Sequence, residues 1–557
     1  MKRSMNRDGR DATVSMRIVT SLALLAIVSS VSVAACGDSK RGGFDDKGND
    51  PTFDDDGGAE KELDRDPITC EEATRARTYV GCDYWATVTG NIVPDIFDFA
   101  IVVSNSGQTE ATVKVTGPND VAVEVKVAPG TLEKVFLPWV PALKGQGLVI
   151  ANQAPPPLAS SVLARKSAYH VVSSVPIVVY QFSPIEYAGK GGAPGKSWVD
   201  CPELGGPASG CFSYTNDASL LIPSTAWTGN YRVLGTQGWS ATTAQGTSQA
   251  VLGSFAAITA SQDGTKVKVA LGAKAKVLPG KGIAAGGAGD VLEIALDAGD
   301  VAQIVTEKGA EFDLSGSLVQ SDKPVQIISG IQCINVPADK SACDHVEESV
   351  LPAEALGKKY VVTTPTRPSG TPGLHVVRFV GNRDGTTLAY APSKPAGCPD
   401  RLSAGEVAEC DGPVSTDFIV TGTEEFGVAT FMVGSTMYEA SNQKAKGDPS
   451  QTIFASPEQF RTSYLFLTPD DYDVSYAVIV GPAGANPVLD GAAVTDFQPL
   501  AEGFGVWRVT LGRGQNGAHT LSSSFPVGLQ AMGYGAFTSY QFPGGLDVKR
   551  IAPPPTK

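Results

Sequence analysis

Past residue 68, polar and apolar positions alternate in short runs through most of the chain. Phe99-Ala100-Ile101-Val102-Val103 leads across Ser106-Gly107 to Thr112-Val113-Lys114-Val115. Phe255 to Ala260 leads across Asp263-Gly264 to Lys266-Val267-Lys268-Val269, and Val376 to Val380 across Asp384-Gly385 to Thr387-Leu388. A period of two broken by Asp-Gly predicts strands joined as hairpins. Few segments carry a helical period, so the pattern predicts an all-β protein.

Two more elements recur, which makes the chain a repeat protein. One is a strand entered through proline: Ser173-Ser174-Val175-Pro176-Ile177-Val178-Val179-Tyr180, Ser321-Asp322-Lys323-Pro324-Val325-Gln326-Ile327-Ile328 and Ser523-Ser524-Phe525-Pro526-Val527-Gly528-Leu529-Gln530. A degenerate copy runs from Thr423 to Val428. Proline suits the first position of a strand, where the ladder can spare a donor. The other element opens each unit: Ala218-Ser219-Leu220-Leu221-Ile222-Pro223 with Tyr231, Glu348-Ser349-Val350-Leu351-Pro352 with Tyr360, and Thr452 to Pro457 with Tyr464. The repeats divide the chain into four β units, at 68–190, 215–335, 344–440 and 448–547. Six or so strands in roughly 100 residues is the scale of an immunoglobulin-like β-sandwich. A propeller-like ring of large blades is the alternative, because repeats alone do not fix how units pack.

The first forty residues obey a different pattern. Ile18 to Ala35 is apolar, preceded by Arg17 and, further back, by Lys2, Arg3, Arg7 and Arg10. A basic start, an apolar middle and small residues before a cut describe an export signal over 1–35. Asp8 and Asp11 are out of place there, and a start at Met16 instead of Met1 would remove them. Val33-Ala34-Ala35-Cys36-Gly37 resembles the lipobox of bacterial lipoproteins, which implies cleavage before Cys36 and acylation of its thiol and amine. Two or more acyl chains give stable anchoring. Gly37 after the cysteine implies passage to the outer membrane. Residues 36–67 are acidic and Gly-rich with almost nothing apolar, so they read as a disordered tether. Their aspartates lack the spacing of a calcium loop.

Composition narrows the function classes. Among 557 residues, 62 Gly, 38 Pro and only 18% charged residues fit turn-rich β domains with proper cores. A net charge of −14 excludes a nucleic-acid partner, since no basic patch neutralises phosphates. Of nine cysteines, eight remain once Cys36 carries lipid, in local couples: Cys70/Cys82, Cys201/Cys211, Cys333/Cys343 and Cys398/Cys410. An oxidising compartment and this clustering point to nearest-neighbour disulfides, and the spacings are not those of zinc sites. Reduction is expected to loosen 201–211 and 333–343 before the cores.

Candidate chemistry is sparse. The histidines, at 170, 345, 375 and 519, are scattered, and Cys343-Asp344-His345-Val346-Glu347-Glu348 lacks a metal-binding spacing. Gly191 to Ser197 misses the phosphate-loop pattern because Lys190 stands where glycine is required. Asp470/Asp471 and Glu424/Glu425 are adjacent and would point to opposite faces of a strand. The expectation is no catalytic residue, no metal and no cofactor. Among six tryptophans, most are expected in cores, with Trp198 and Trp239 the exposed candidates for a ligand surface and the 187–213 loop its centre.

Ala168-Tyr169-His170 through Tyr180-Gln181-Phe182, Ser213 through Pro223 including Asn216-Asp217, and Ser539-Tyr540-Gln541-Phe542-Pro543-Gly544-Gly545 resemble the IgGFc-binding protein N-terminal domain family. The resemblance covers most of the chain past Cys82. It implies an extracellular recognition or adhesion module of the kind also found in bacterial surface proteins, and it carries no Fc-contact residues to transfer. The resulting expectation is a lipid-anchored envelope protein, at the cell surface or facing the periplasm, that binds a protein or glycan. A secreted hydrolase with a β-only site and a purely structural envelope or motility component are the alternatives.

Overall fold

The computed structural model describes residues 65–555 apart from 150–153, 203, 205–209, 243–247, 341–342, 439–444, 470, 513 and 515–516. Residues 1–64, with the signal, Cys36 and most of the tether, lie outside the described residues. What is described is all-β, with strands from Gly81–Ala86 to Thr538–Pro543, a short helix Cys70–Ala76 before them and only short helical turns between them.

The proline-entered segments are the centres of the architecture. Strand Tyr169–Ser183 pairs through its first half with Gly81–Ala86 and Ala111–Gly117, and through its second half with Phe99–Ser104 and Asp217–Leu220. Leu318–Ile334 repeats this with Thr228–Arg232 and Thr265–Ala270, then with Ser254–Ala260 and Asp344–Ser349. Ala518–Gly535 repeats it with Arg461–Leu467 and Val488–Leu489, then with Val474–Pro482 and Thr538–Pro543. In the third copy the long strand is split into Phe418–Gly422 and Phe426–Met432, each serving one set of partners. One strand therefore passes from an outer ladder to an inner one. Pro176, Pro324 and Pro526 sit at the crossing instead of at the strand start, where leaving one ladder for the next needs no N–H.

The predicted hairpins are arches. Phe99–Ser104 and Ala111–Gly117 do not pair with each other; each pairs with a different half of Tyr169–Ser183. The same holds for Ser254–Ala260 with Thr265–Ala270, and for His375–Gly381 with Thr386–Ala391. Alternation reports which face of a strand is buried and is silent on its neighbour. Outer strands such as Thr265–Ala270 alternate, whereas Phe99–Ser104 and Ser254–Ala260 are buried on both faces. Inner sheets are covered from two sides, which is why they read as continuous apolar runs.

The units exchange strands. Asp217–Leu220, Asp344–Ser349 and Gln451–Ile453 each follow a connection and complete the preceding inner sheet. These three and Thr538–Pro543 pack in a cycle: first on second, second on third, third on fourth, fourth on first. The start and end of the described chain meet as well. Tyr79 N–H donates to Leu546 O at 3.1 Å and Val548 N–H to Arg77 O at 2.8 Å, while Arg461 pairs with Asp66 and Asp547.

A tyrosine holds each crossing. Tyr84, Tyr231 and Tyr360 donate from their hydroxyls to the carbonyls of Ile177, Val325 and Phe426 at 2.7, 2.5 and 2.6 Å, and Tyr464 to that of Val527. The Tyr231, Tyr360 and Tyr464 oxygens also accept from the backbone N–H three residues earlier. All four rings are buried, so the bonds stand where water cannot replace them. Disulfides join Cys70–Cys82, Cys201–Cys211, Cys333–Cys343 and Cys398–Cys410.

Tyr231→Phe should leave the Val325 carbonyl and the Thr228 N–H without their partner and cost about 1–3 kcal/mol. Urea denaturation measures this, and a change within a few tenths would show that the hydroxyl does not hold the crossing. Exposure also orders the disulfides. Cys333, Cys398 and Cys410 are at most 4% exposed, whereas Cys201 and Cys211 are both half-buried. Cys70 and Cys82 are half-buried as well, so mild reduction with alkylation and mass spectrometry should label Cys70, Cys82, Cys201 and Cys211 first, and Cys333, Cys398 and Cys410 in the slow group.

Candidate binding surface and axial polar core

The 187–213 loop packs against the fourth unit. Tyr187 donates from its hydroxyl to Asp473 Oδ1 at 2.7 Å and stacks near Phe212 and Tyr472. Trp198 is half-buried, with its indole N–H on Gly191 O at 3.0 Å and its ring 5.1 Å from that of Phe97. Lys196 Nζ lies 4.5 Å from the Trp198 ring centre, 2.5 Å from Asp98 Oδ2 and 3.5 Å from Glu186 Oε1. One ammonium serves two carboxylates, and the nearer takes it. Burial, reinforced by Asp98, pushes Glu186 up to about 8 against the pull of Lys196. Lys196 is thus committed to holding the loop, which leaves Gly191–Ser197 without the free cation of a phosphate loop. Val199 beside Trp198 is 89% exposed. Trp198 and Val199 together present an apolar edge on a charged, cross-linked base.

Trp239 does not belong to that surface. It is 5% exposed and packed in the core, contrary to the expectation from its neighbour Gly238. Gly238 is needed because a side chain there would meet the backbones of Gly309 and Leu252, so the glycine marks close packing and not an exposed turn. Trp85, Trp227 and Trp507 are buried too, Trp85 stacked on His170 at 4.1 Å.

The histidines do not meet. His170 Nε2 lies 2.6 Å from Asp83 Oδ2, and His375 is wholly buried, where desolvation pulls it down to about 4. Thr468, His519 and Asp490 form a relay, with Oγ1 to Nε2 at 3.1 Å and Nδ1 to Oδ2 at 2.7 Å. Its exposure is the reverse of a hydrolytic triad: Thr468 is 3% exposed while the Asp490 side chain is 41% exposed. Glu424 and Glu425 are used in ion pairs with Lys358 and Arg383. Asp470 lies outside the described residues.

The densest polar chemistry is on the axis, where the four inner strands meet. Asp217 accepts from Ser450 Oγ at 2.7 Å and from the N–H groups of Ala218, Gln451 and Glu347 at 2.9, 3.0 and 3.1 Å, tying three strands together. Glu347 accepts from Gln181 Nε2 at 2.7 Å, from Thr89 and from Ser219, with His345 Nε2 at 3.3 Å. Thr538 Oγ1 bridges Asp344 Oδ2 and Asn216 Oδ1 at 3.0 and 3.2 Å. Burial pushes Asp217, Asp344 and Glu348 well above the usual carboxylate range, and Asp448 up to about 8. Sequence reasoning weighed Asp344, Glu347 and Glu348 only as a local motif from Cys343 and did not connect them with Asp217 and Asp448. The available signal was an aspartate heading three successive units, in Asn216-Asp217, Cys343-Asp344 and Gly447-Asp448.

Among the described residues, no three His, Cys, Asp or Glu side chains make a metal-holding group. Two interior cavities, about 10 Å³ beside Leu234 and Val428 and about 20 Å³ beside Phe460 and Gly528, have room for about one water each.

The model of the family described as "IgGFc binding protein" matches residues 217–533, more than half of the chain. Over 259 residues the chain is 28% identical to the IgGFc-binding protein of Homo sapiens, an alignment covering 45% of this chain and 4% of that much longer relative. No solved structure matches the chain significantly. On the extent of the family match, the chain belongs to the IgGFc-binding protein family.

Proposed function

We propose that the mature chain is a lipid-anchored module of a bacterial cell envelope, attached through Cys36 to the outer membrane, that binds a protein partner. Family membership is the observation that carries the reading, because the human relative is named for a protein ligand. The loop supports it: Trp198 and the exposed Val199 lie beside Lys196, which is held by Asp98 and Glu186. Hydrolysis is disfavoured by the inaccessibility of Thr468. The anchor rests on the lipobox-like Ala34-Ala35-Cys36.

The anchor is tested by expressing the full chain in a Gram-negative host with a palmitate analogue. Label and membrane retention should both vanish in Cys36→Ser; an unlabelled, soluble wild type would remove the anchor from the proposal. For the partner, immobilised mature chain is screened against IgG Fc and against secreted proteins. Trp198→Ala should weaken whichever protein binds by at least about tenfold, with the far-UV circular dichroism showing that the variant remains folded. Binding that survives this substitution would move the surface elsewhere on the molecule.

A further inference from the structure

We propose that Lys196 and Asp98 become joined by an intramolecular amide bond, which the protein forms on itself with Glu186 as the proton carrier. The three side chains come from separate stretches of the chain. Asp98 precedes strand Phe99–Ser104, Glu186 follows strand Tyr169–Ser183, and Lys196 lies in the 187–213 loop. Gly192 shows that they converge. A Cβ on it would stand 2.4 Å from Lys196 Cδ, 2.8 Å from Glu186 Oε1 and 3.4 Å from Asp98 Oδ2. The loop crosses this spot as glycine, at a φ of +90°, because the three side chains leave no room for another.

Lys196 Nζ is 2.5 Å from Asp98 Oδ2, so Asp98 Cγ is at most one C–O bond farther off. The same nitrogen is 3.5 Å from Glu186 Oε1. The Asp98 N–H donates to Glu186 Oε2 at 2.9 Å, which leaves Oε1 for the pair. That Oε1 is buried and takes part in no hydrogen bond. The Lys196 and Glu186 side chains are 10% and 4% exposed, and Trp198, packed on Phe97, lies beside the amine. Other lysines lack one of these parts. Lys144 pairs with Asp95, an exposed carboxylate, and Lys358, between Glu424 and Glu425, is itself exposed.

An ammonium and a carboxylate in contact hold every atom that an amide needs. Nζ bonds to Cγ, one Cγ–O bond breaks, and that oxygen leaves as water with two of the three ammonium protons. Nothing is oxidised or reduced, and no co-reactant enters. In open water the hydration of both ions opposes this condensation. Burial strips much of that hydration, and a neutral amide escapes the desolvation cost that the ion pair bears. Fixed contact supplies the proximity. The protons have to pass from nitrogen to oxygen, and Glu186 stands beside both groups. Burial and Asp98 push it up to about 8, so it takes and returns a proton near neutral pH. Kept as an acid afterwards, it donates from Oε1 to the new carbonyl and gains the partner it lacks. Water departs past Asp98, whose side chain is 24% exposed.

The test is the mass of tryptic peptides from the full chain after reduction and alkylation. Trypsin cuts after Arg77, Lys114, Lys190 and Arg232, and does not cut after an acylated lysine. Segments 78–114 and 191–232 should appear as one branched peptide, lighter by one water than the two together. Fragment-ion sequencing should place the branch at Asp98 and Lys196. Lys196→Arg and Glu186→Gln, each shown to be folded by circular dichroism, should release 78–114 as a free peptide. A wild type that yields free 78–114 and is cut after Lys196 overturns the proposal and leaves an ion pair. A branch mapped to other residues overturns it too, and one that persists in folded Glu186→Gln removes Glu186 as the carrier. The wild-type masses decide the cross-link even where a variant fails to fold.

Discussion

Four strands buried on both faces meet at the centre of this molecule, and every polar group they carry has to be satisfied there by another part of the chain. Asp217 is the point where that requirement is met most fully, with donors from its own strand and from the inner strands of two other units. An unmatched buried donor or acceptor costs about 1–3 kcal/mol, so a strand displaced by one residue would forfeit several of these bonds together. The axis therefore sets the register of the whole assembly, and a polar core does so more strictly than an apolar one, because hydrogen bonds are directional and apolar contacts are not.

The outer architecture follows from that centre. Each inner sheet is completed by a strand from the next segment, so no unit can bury its apolar face alone. Each long strand then has to serve two ladders, and the crossing is made tolerable by proline, which asks for no partner, and by a tyrosine hydroxyl that takes the exposed carbonyl. The third unit lacks the proline and breaks its strand between Gly422 and Phe426, yet keeps the tyrosine. Of the two devices, the hydrogen bond is the one common to all four copies.

The 187–213 loop is tied at both ends, by Tyr187 on Asp473 and by Cys201–Cys211. Binding of a protein partner gains from such a base, since little ordering entropy remains to be lost on contact.

Period, repeat and cysteine spacing were legible in the sequence because they depend on neighbours along the chain. Alternation marked the strands, proline the special position of each long strand, and short cysteine separations the cross-links. The partners of those strands were not legible. The Asp-Gly turns read as hairpins and proved to be arches, since a turn states how far the chain reverses and leaves open which sheet receives it. Trp239 likewise looked exposed beside a glycine, and only the nearness of Gly309 and Leu252 shows that this glycine marks close packing in the core. The axial carboxylates stand more than a hundred residues apart at Asp217, Asp344 and Asp448, each an ordinary aspartate at the head of a segment. Local composition determined that this chain makes β units. The closing of four inner strands on one another decided that their aspartates share a single dry centre, because burial and proximity are properties of the assembled ring and of no stretch within it.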